Sequence, residues 1–217
     1  MQVKTKRAAT GRRAGNDTAA RIVLAARDLL MTEGYAQFSM RNVAARAGLH
    51  LANVQYYYKT REDLVEALVA DTGERYRNSY AELRAKGPTD REARFKAIVE
   101  FNLKDIATSE TRRYFIQLWA LLTEMDGRAR AGSNAGHLMN DLYAIDIQQL
   151  SDCIAELVPD TDPAEVRRRA SILAAMIEGM VVVRGAHSRN PAELKKLMAR
   201  AQGMAMQIAL GLVPDVN

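Results

Sequence analysis

The chain has 217 residues, of which 48% are hydrophobic, and its 31 Lys and Arg outnumber its 26 Asp and Glu to give a formal net charge of +5. This apolar content suffices for a buried core in one or two domains, and a single cysteine, Cys153, excludes an internal disulfide and suits a reducing cytosol. No apolar run follows the basic N-terminus, and the longest apolar stretch, residues 170–183, is too short to span a bilayer, so we expect a soluble cytoplasmic protein without a signal peptide.

The positive charge is concentrated near the N-terminus. Residues 1–61 carry 11 Lys and Arg against 3 Asp and Glu, a net charge of +8, and the remainder carries 20 against 23, a net charge of −3. A basic region on a slightly acidic remainder is the electrostatic pattern of phosphate binding. Residues 1–15 mix Lys and Arg with Gly, Ala and Thr, which predicts a disordered arm that follows the minor groove or the phosphates beside a DNA site. The alternative is a solvated arm without a partner.

Two short helices joined by a glycine are predicted after a first amphipathic helix at residues 17–33. Ser39 is a good N-cap for the second helix, whose apolar residues recur on one face. Gly48 follows its last turn, where the chain needs the left-handed conformation that glycine adopts without a side-chain clash. A third helix is predicted at residues 50–58 with Val54 facing inward. This order is typical of a helix-turn-helix, whose second helix enters the DNA major groove.

Residues 17–64 closely resemble the TetR family of bacterial transcriptional regulators. The resemblance is carried by Glu33-Gly34-Tyr35, Phe38-Ser39-Met40-Arg41, Val43-Ala44-Ala45-Arg46-Ala47-Gly48-Leu49, Val54-Gln55-Tyr56-Tyr57-Tyr58 and Arg61-Glu62-Asp63-Leu64. It implies an all-α fold with an N-terminal three-helix DNA-binding head and a C-terminal helical domain for effector binding and dimerisation. It also implies a homodimer that a small-molecule effector releases from DNA by spreading the two recognition helices.

Several positions depart from the pattern that is usual in that family. His50 stands where Ser or Thr is usual, so the recognition helix has a weaker N-cap. Gln55, Tyr57 and Tyr58 replace a common Tyr, His and Phe. Arg61 replaces a Lys and keeps the positive charge. These departures concern the family's phosphate contacts rather than the helix-turn-helix itself.

The predicted DNA contacts form two groups. Asn and Gln can pair bidentately with adenine and Arg with guanine, whereas contacts to phosphates fix the register without reading sequence. The candidates for base edges are Arg41, Asn42, Asn53, Gln55 and Tyr56. The candidates for phosphates are Ser39, Tyr57, Lys59 and Arg61, and His50 also faces outward in the predicted interface.

The rest of the chain is marked by helix caps. Thr60 and Asp63 form a capping box that opens a fourth helix, which ends at the break Gly87-Pro88. Asp162-Pro163 and Asn190-Pro191 each place an N-cap before a proline at the first helical position, with a glutamate at N3. The other predicted helices span about residues 89–108, 110–125, 135–158, 162–185 and 190–212, with a loop at 127–136. The predicted domains are an arm at 1–15, a DNA-binding domain at 16–62 and a ligand-binding and dimerisation domain at 63–217.

The last two helices are predicted to pair with their symmetry mates in a dimer. The helix after Asp162 is apolar on two faces, so both faces must be covered. A dimer also suits a single helix-turn-helix, because two half-sites must be read together. The alternative is a central helix in a monomeric bundle. The interface candidates are Leu173, Ile177, Val181, Leu197, Met198, Ala201, Met204 and Ile208.

An effector pocket is predicted within the helical body. The candidate lining residues are Phe101, Phe115, Trp119, Leu122, Met125, His137, Tyr143, Met176 and Glu178. Aromatic and methionine side chains at helical spacing also suit an ordinary core, and that alternative stays open for each of them. Glu178 lies in an otherwise apolar stretch and needs a partner, either a cationic ligand or an arginine such as Arg112 or Arg113.

No catalytic motif stands out. The three histidines have no metal-like spacing, and neither a glycine-rich phosphate loop nor a nucleophile elbow is present. The sequence therefore predicts a repressor that binds double-stranded DNA, with no enzymatic activity, metal or cofactor and no membrane partner. Two alternatives remain: a sequence-tolerant architectural DNA binder, and a ligand-binding helical protein with a vestigial head.

Overall fold

A computed structural model describes residues 3–105, 108–128, 135–187 and 190–212, with side chains described in these ranges outside 3–16, 127–128, 135–136 and 184–187. Over these ranges the chain forms helices and no strand, which confirms the all-α prediction. The α-helices are α1 (Val3–Glu33), α2 (Met40–Ala47), α3 (Leu51–Tyr57), α4 (Arg61–Lys86), α5 (Arg91–Asp105), α6 (Ser109–Arg128), α7 (Ala135–Leu157), α8 (Pro163–His187) and α9 (Pro191–Leu210), and a short 3-10 helix covers Tyr35–Gln37. No helix in the described part combines the length and apolar content that a membrane crossing requires.

Side-chain caps explain where several helices begin. Thr60 Oγ1 accepts from the Asp63 amide at 3.0 Å, and Asp63 Oδ2 accepts from the Thr60 amide at 3.1 Å, so the predicted capping box is confirmed. Asp162 and Asn190 accept from the N3 amides of α8 and α9 at 3.1 and 3.2 Å. These caps satisfy amides that have no partner within the helix, and they place both helices where the sequence predicted them.

Two predicted N-termini are corrected by the structure. Asp90, rather than Thr89, caps α5, because its Oδ2 accepts from the Ala93 amide at 2.8 Å. Helix α1 begins at Val3 rather than near Asp17, so the segment interpreted as a disordered arm is helical from Val3 onward. Lys, Arg and Ala are good helix formers and no proline interrupts the segment, so a helix nucleated further along the chain extends backward through it.

The chain divides into two compact units, whose boundary differs from the predicted one. The head unit comprises Met1–Thr72 with Arg113–Leu138, and the body unit comprises Gly73–Arg112 with Met139–Asn217. The head unit therefore contains most of α6, which the sequence had assigned to the ligand-binding domain. A three-helix head of about 50 residues buries too little apolar surface alone, and α6 supplies more. The fully buried side chains of this unit include Ile22, Leu30, Val43, Val54, Leu64, Leu68, Leu118 and Leu121.

The body unit corrects the predicted dimer face. Leu173 and Val181 are each 0% exposed within the single chain, and Ile177 and Ala201 are also buried. Helix α8 packs against α9 and α5. The burial of these side chains within one chain leaves them unable to contact a second copy. The opposite side of α8 exposes Ile172, Val182 and Val183, and α9 and its C-terminal end expose Met204 and Leu212. Leu197, Met198 and Ile208 are partly exposed.

Candidate nucleic-acid interface

A left-handed glycine joins α2 to α3. Gly48 has φ 63° and ψ 38°, and its amide hydrogen-bonds to the Ala44 and Ala45 carbonyls. The Leu49 amide donates to the Ala44 carbonyl at 2.9 Å, which closes the turn. Any side chain at position 48 would strain this backbone conformation, so the predicted role of Gly48 as the turn residue is confirmed.

Helix α3 buries one side and exposes the other. Val54 is 0% exposed and anchors the helix, whereas Tyr56 is 81% exposed. Asn53 and Gln55 are also exposed, as is His50 at the N-cap position. The His50 side chain makes no cap hydrogen bond, as its departure from Ser or Thr predicted. The side chains predicted to meet base edges from α3 are therefore all accessible to solvent.

The residues around α3 differ in accessibility. Tyr57 is half-buried and packs edge-to-face against Tyr56, with ring centroids 5.2 Å apart. Tyr58 points back to α1, where its hydroxyl donates to the Ala19 carbonyl at 3.4 Å. Lys59 is exposed directly after the helix. Tyr57 and Lys59 thus remain predicted phosphate contacts, while Tyr58 has a packing role.

On α2, the predicted contacts are partly engaged within the protein. Ser39 Oγ accepts from the Asn42 amide at 3.2 Å and so caps the helix. The Asn42 side-chain amide donates to the Gln37 carbonyl at 2.8 Å. Arg41 is exposed. Arg41 is therefore the α2 side chain best placed to reach DNA.

Arg61 occupies a different environment from the one predicted. One Nη of Arg61 lies 2.8 Å from Glu124 Oε2 on α6, and both side chains are largely buried, at 22% and 23% exposure. The guanidinium also lies 5.9 Å from the centroid of the Phe38 ring. A cation held in an internal ion pair contributes little to phosphate binding, so the structure favours a link to α6 over the predicted phosphate contact.

Two further contacts tie α6 to the end of α1. Gln117 Oε1 accepts from the Tyr35 amide at 2.9 Å, and an Arg113 Nη donates to the Thr32 carbonyl at 2.9 Å. Gly34 has φ 85° and ψ 173°, and a Cβ there would lie 2.8 Å from Gln117 Oε1. The sequence analysis missed both contacts because their partners lie 82 and 81 residues apart along the chain.

A buried polar group joins α1, α4 and α6. The Arg27 guanidinium lies 4.7 Å from the centroid of the Tyr114 ring, and the Tyr114 hydroxyl lies 2.6 Å from Thr72 Oγ1. Burial raises the pKa of Tyr114 to about 12, so its hydroxyl stays protonated. Among the described residues, one Arg27 Nη and Asp71 Oδ2 are buried without a hydrogen-bond partner. The head unit is therefore held together by polar contacts as well as by its apolar core.

The predicted pocket residues are divided between the two units. Phe115, Leu122 and Met125 are buried in the head unit, which matches the alternative of an ordinary core. Trp119 also belongs to this unit and has a buried indole N–H without a partner among the described residues, and His137 is exposed. Phe101, Tyr143, Met176 and Glu178 belong to the body unit. No grouping of three His, Cys, Asp or Glu suited to a metal ion occurs in the described part of the chain.

The sequence of the helix-turn-helix region matches a known family. Residues 22–68 match the family model of the bacterial regulatory proteins of the tetR family. The helix-turn-helix region of this chain belongs to the TetR family. This match covers α2, α3 and the parts of α1 and α4 that pack against them, and so it contains the surface described above.

Comparisons with individual proteins agree with this assignment. The chain is 37% identical over 109 residues to an uncharacterized HTH-type transcriptional regulator in the dhlA 5′ region of Xanthobacter autotrophicus, and the match covers 48% of this chain and 52% of that protein. The match thus spans about half the length of this relative. A TetR transcription regulator from Haloarcula marismortui superposes with a TM-score of 0.68 at 22% identity, over 90% of this chain and 98% of that one. A protein from Saccharomonospora viridis in complex with choline superposes with a TM-score of 0.67 at 18% identity, over 87% and 95% of the two chains. These two structures share the fold of this chain.

Proposed function

We propose that this protein is a dimeric, sequence-specific DNA-binding repressor of the TetR family that a small-molecule effector releases from its operator. The observation that carries the proposal is α3, which buries Val54 and exposes Asn53, Gln55 and Tyr56 directly after the Gly48 turn. Amide and phenol groups presented by a helix in the major groove can read base edges, and the net charge of +8 over residues 1–61 favours phosphate binding.

Dimerisation is supported by the apolar surface of the body unit. Ile172, Val182 and Val183 expose 56%, 65% and 46% of their surface on α8, and Met204 exposes 48% on α9. Contiguous apolar surface of this kind marks an interaction site in a water-soluble protein. A second copy is the partner that two operator half-sites require. Sedimentation of the purified protein at micromolar concentration is expected to give the mass of a dimer, and a monomeric mass would contradict this part of the proposal.

Release by an effector is supported by how α6 is attached. Gln117 and Arg113 bond to the end of α1, and Glu124 bonds to Arg61 at the start of α4. A ligand that binds one arrangement of α4 or α6 better than another will therefore change the position of the recognition helices. The Saccharomonospora viridis protein, which has the same fold, is in complex with the small molecule choline.

The first experiment is selection of genomic fragments by the purified protein in the presence of excess competitor DNA. At roughly physiological salt the non-specific contribution is weak, so a specific reader recovers a short inverted repeat. Equal recovery of all fragments would instead indicate an architectural DNA binder. Recovery of none would indicate a vestigial head.

Once an operator is known, Asn53→Ala tests the direct reading of bases. Loss of the side-chain amide should relax specificity at one base pair by about 1–3 kcal/mol. Affinities for operators substituted at single positions, measured by fluorescence anisotropy, provide the readout. If Asn53→Ala weakened the affinity equally for every sequence, Asn53 would contact the DNA backbone rather than a base.

A further inference from the structure

The body unit contains a group of acidic and aromatic side chains contributed by four helices. We call it the acid–aromatic cluster, and its members are Tyr76 and Tyr80 of α4, Phe101 and Asp105 of α5, Asp146 of α7 and Glu178 of α8. Tyr80 is buried, and the other members are partly exposed. The sequence analysis named Phe101 and Glu178 as pocket candidates but did not connect them to the other members.

Three aromatic rings form one side of the cluster. The Phe101 ring centroid lies 5.5 Å from that of Tyr80 and 6.4 Å from that of Tyr76, both in edge-to-face geometry. Burial and neighbouring carboxylates raise the pKa of both phenols, so both hydroxyls stay protonated and act as donors. Aromatic faces attract cations through the ring quadrupole, most strongly where water is excluded.

The cluster contains more hydrogen-bond acceptors than donors. The hydroxyl of Tyr76 donates to Asp105 Oδ2, while Tyr80 has a single proton between Asn102 Oδ1 at 2.6 Å and Asp146 Oδ1 at 2.8 Å. Glu178 Oε2 is buried and has no partner among the described residues. A buried carboxylate oxygen without a donor is costly, so this arrangement favours a ligand that brings positive charge.

Among the described residues, no cation lowers the pKa of either inner carboxyl group. Burial and the negative charge of Asp146 raise the pKa of Glu178 to about 7. Burial, followed by the charge of Asp105, raises the pKa of Asp146 to about 6 despite the hydrogen bond from Tyr80. The predicted alternative, an arginine beside Glu178, is not realised by Arg113, which bonds to the Thr32 carbonyl.

We propose that the acid–aromatic cluster is the effector site and that its ligand is an organic cation, specifically a quaternary or aromatic ammonium compound. This assignment rests on the proposed function, because it names the ligand class of the effector-responsive repressor. The aromatic rings contact the apolar groups around the ammonium nitrogen, and Glu178 and Asp146 supply the opposite charge. Tyr76 and Tyr80 belong to α4, which begins at the DNA-binding domain, so a ligand in the cluster contacts a helix that also contributes to the head unit.

The test is calorimetric titration of the full-length protein with benzyltrimethylammonium, with choline and with 3,3-dimethylbutan-1-ol, in which carbon replaces the choline nitrogen. Both cations are expected to bind, and the neutral analogue about tenfold or more weaker, since only the charge differs. Glu178→Gln and Asp146→Asn should each weaken benzyltrimethylammonium by about tenfold, and Phe101→Leu by a smaller factor. Asp141→Asn is the matched control, because Asp141 is an exposed carboxylate on the same helix as Asp146.

Thermal melts show whether each variant is folded, and the use of two separate carboxyl variants keeps the test valid if one is not. The inference is overturned if neither cation binds at millimolar concentration, if the neutral analogue binds equally well, or if both folded carboxyl variants retain wild-type affinity. Operator binding is measured in parallel. If the wild-type protein binds an operator but no cation, this inference alone is overturned. If the wild-type protein shows no specific DNA binding, the proposed function is overturned. Cation binding that leaves operator affinity unchanged overturns the effector role of the cluster.

Discussion

Two sets of polar contacts, one in the head unit and one in the body unit, differ in whether each charged or polar group has a complementary partner. In the head unit, Arg61 meets Glu124 and the Tyr35 amide meets Gln117, so partly buried donors face acceptors from the same unit. In the body unit, burial and the charge of Asp146 raise the pKa of Glu178, and burial and the charge of Asp105 raise the pKa of Asp146. No cation among the described residues lowers either pKa. The contacts in the head unit hold its helices in one arrangement. The carboxyl groups in the body unit favour the binding of a positively charged ligand.

The largest expected effect tests how strictly the head unit fixes its shape. Gly34→Ala places a Cβ at φ 85°, a conformation that side chains rarely adopt, and 2.8 Å from Gln117 Oε1. We expect a loss of about 2–4 kcal/mol in the free energy of unfolding, measured by urea denaturation. Adding Gln117→Ala removes the contact but not the backbone strain, so the double variant should recover only part of the loss. A neutral Gly34→Ala would contradict this account of the α1–α6 contact.

The next effect tests the burial of the Glu178 carboxyl group without a neutralising cation in the body unit. Glu178→Gln should stabilise the ligand-free protein at pH 8 by about 1–3 kcal/mol, because the amide removes a buried charge and supplies a donor near Asp146. The raised pKa means that the folded state binds more protons than the unfolded state between the ordinary glutamate pKa of 4.5 and about 7. Wild-type stability should therefore fall as pH rises through this window.

Denaturation at pH 4, 6 and 8 measures this effect, with Asp141→Asn as the control. The titratable groups that interact electrostatically with Glu178 are Asp146 and Tyr76. The Tyr76 phenol stays protonated, whereas Asp146, whose pKa is raised to about 6 by burial, also changes charge in this range. A wild-type stability that rises between pH 5 and 7, or a destabilised Glu178→Gln at pH 8, would contradict the unpaired burial of this carboxyl.

A smaller effect separates structural from DNA-binding cations in the head unit. Arg61→Ala removes the partly buried ion pair with Glu124 and should cost about 1–2 kcal/mol of stability, with little change in the salt dependence of operator binding. Lys59→Ala should leave stability unchanged and reduce the slope of log affinity against log salt by about one. If Arg61→Ala instead left stability unchanged and reduced the salt slope, Arg61 would be a phosphate contact as the sequence predicted.

The smallest effect concerns the cap of α3. His50→Ser introduces a hydroxyl that can accept an amide at the helix start, where the His50 side chain makes no cap hydrogen bond. We expect a gain of about 0.5–1 kcal/mol in stability, measured by thermal denaturation. His50→Ala serves as the control, because it lacks the hydroxyl and should give no gain. Equal effects of the two substitutions would show that the hydroxyl does not cap α3.

Local signals account for what the sequence predicted correctly. The Gly48 turn, the Thr60–Asp63 capping box and the caps at Asp162 and Asn190 depend on residues three or four positions apart. Short sequence motifs are therefore sufficient to predict such interactions. The exposure of Asn53 and Gln55 follows from the same helical periodicity, because Val54 fixes which side faces the core.

Long-range packing explains what the sequence did not predict. Helix α8 is apolar on two faces, and periodicity alone could not show that Leu173 and Val181 face α9 and α5 while Ile172 and Val182 face outward. The pairing of Arg61 with Glu124 joins positions 63 residues apart, so no local motif distinguishes it from a phosphate contact. The acid–aromatic cluster likewise combines four helices.

The difference between the buried and exposed positions of α3 affects how this protein can change during evolution. Val54 is the fully enclosed side chain of the helix, and the exposed positions beside it make almost no contribution to packing. Substitutions at those positions should alter which DNA sequence is preferred while leaving the free energy of unfolding nearly constant. Under the proposed function, α3 can therefore acquire new sequence preferences through single amino-acid replacements, without compensating changes elsewhere in the chain.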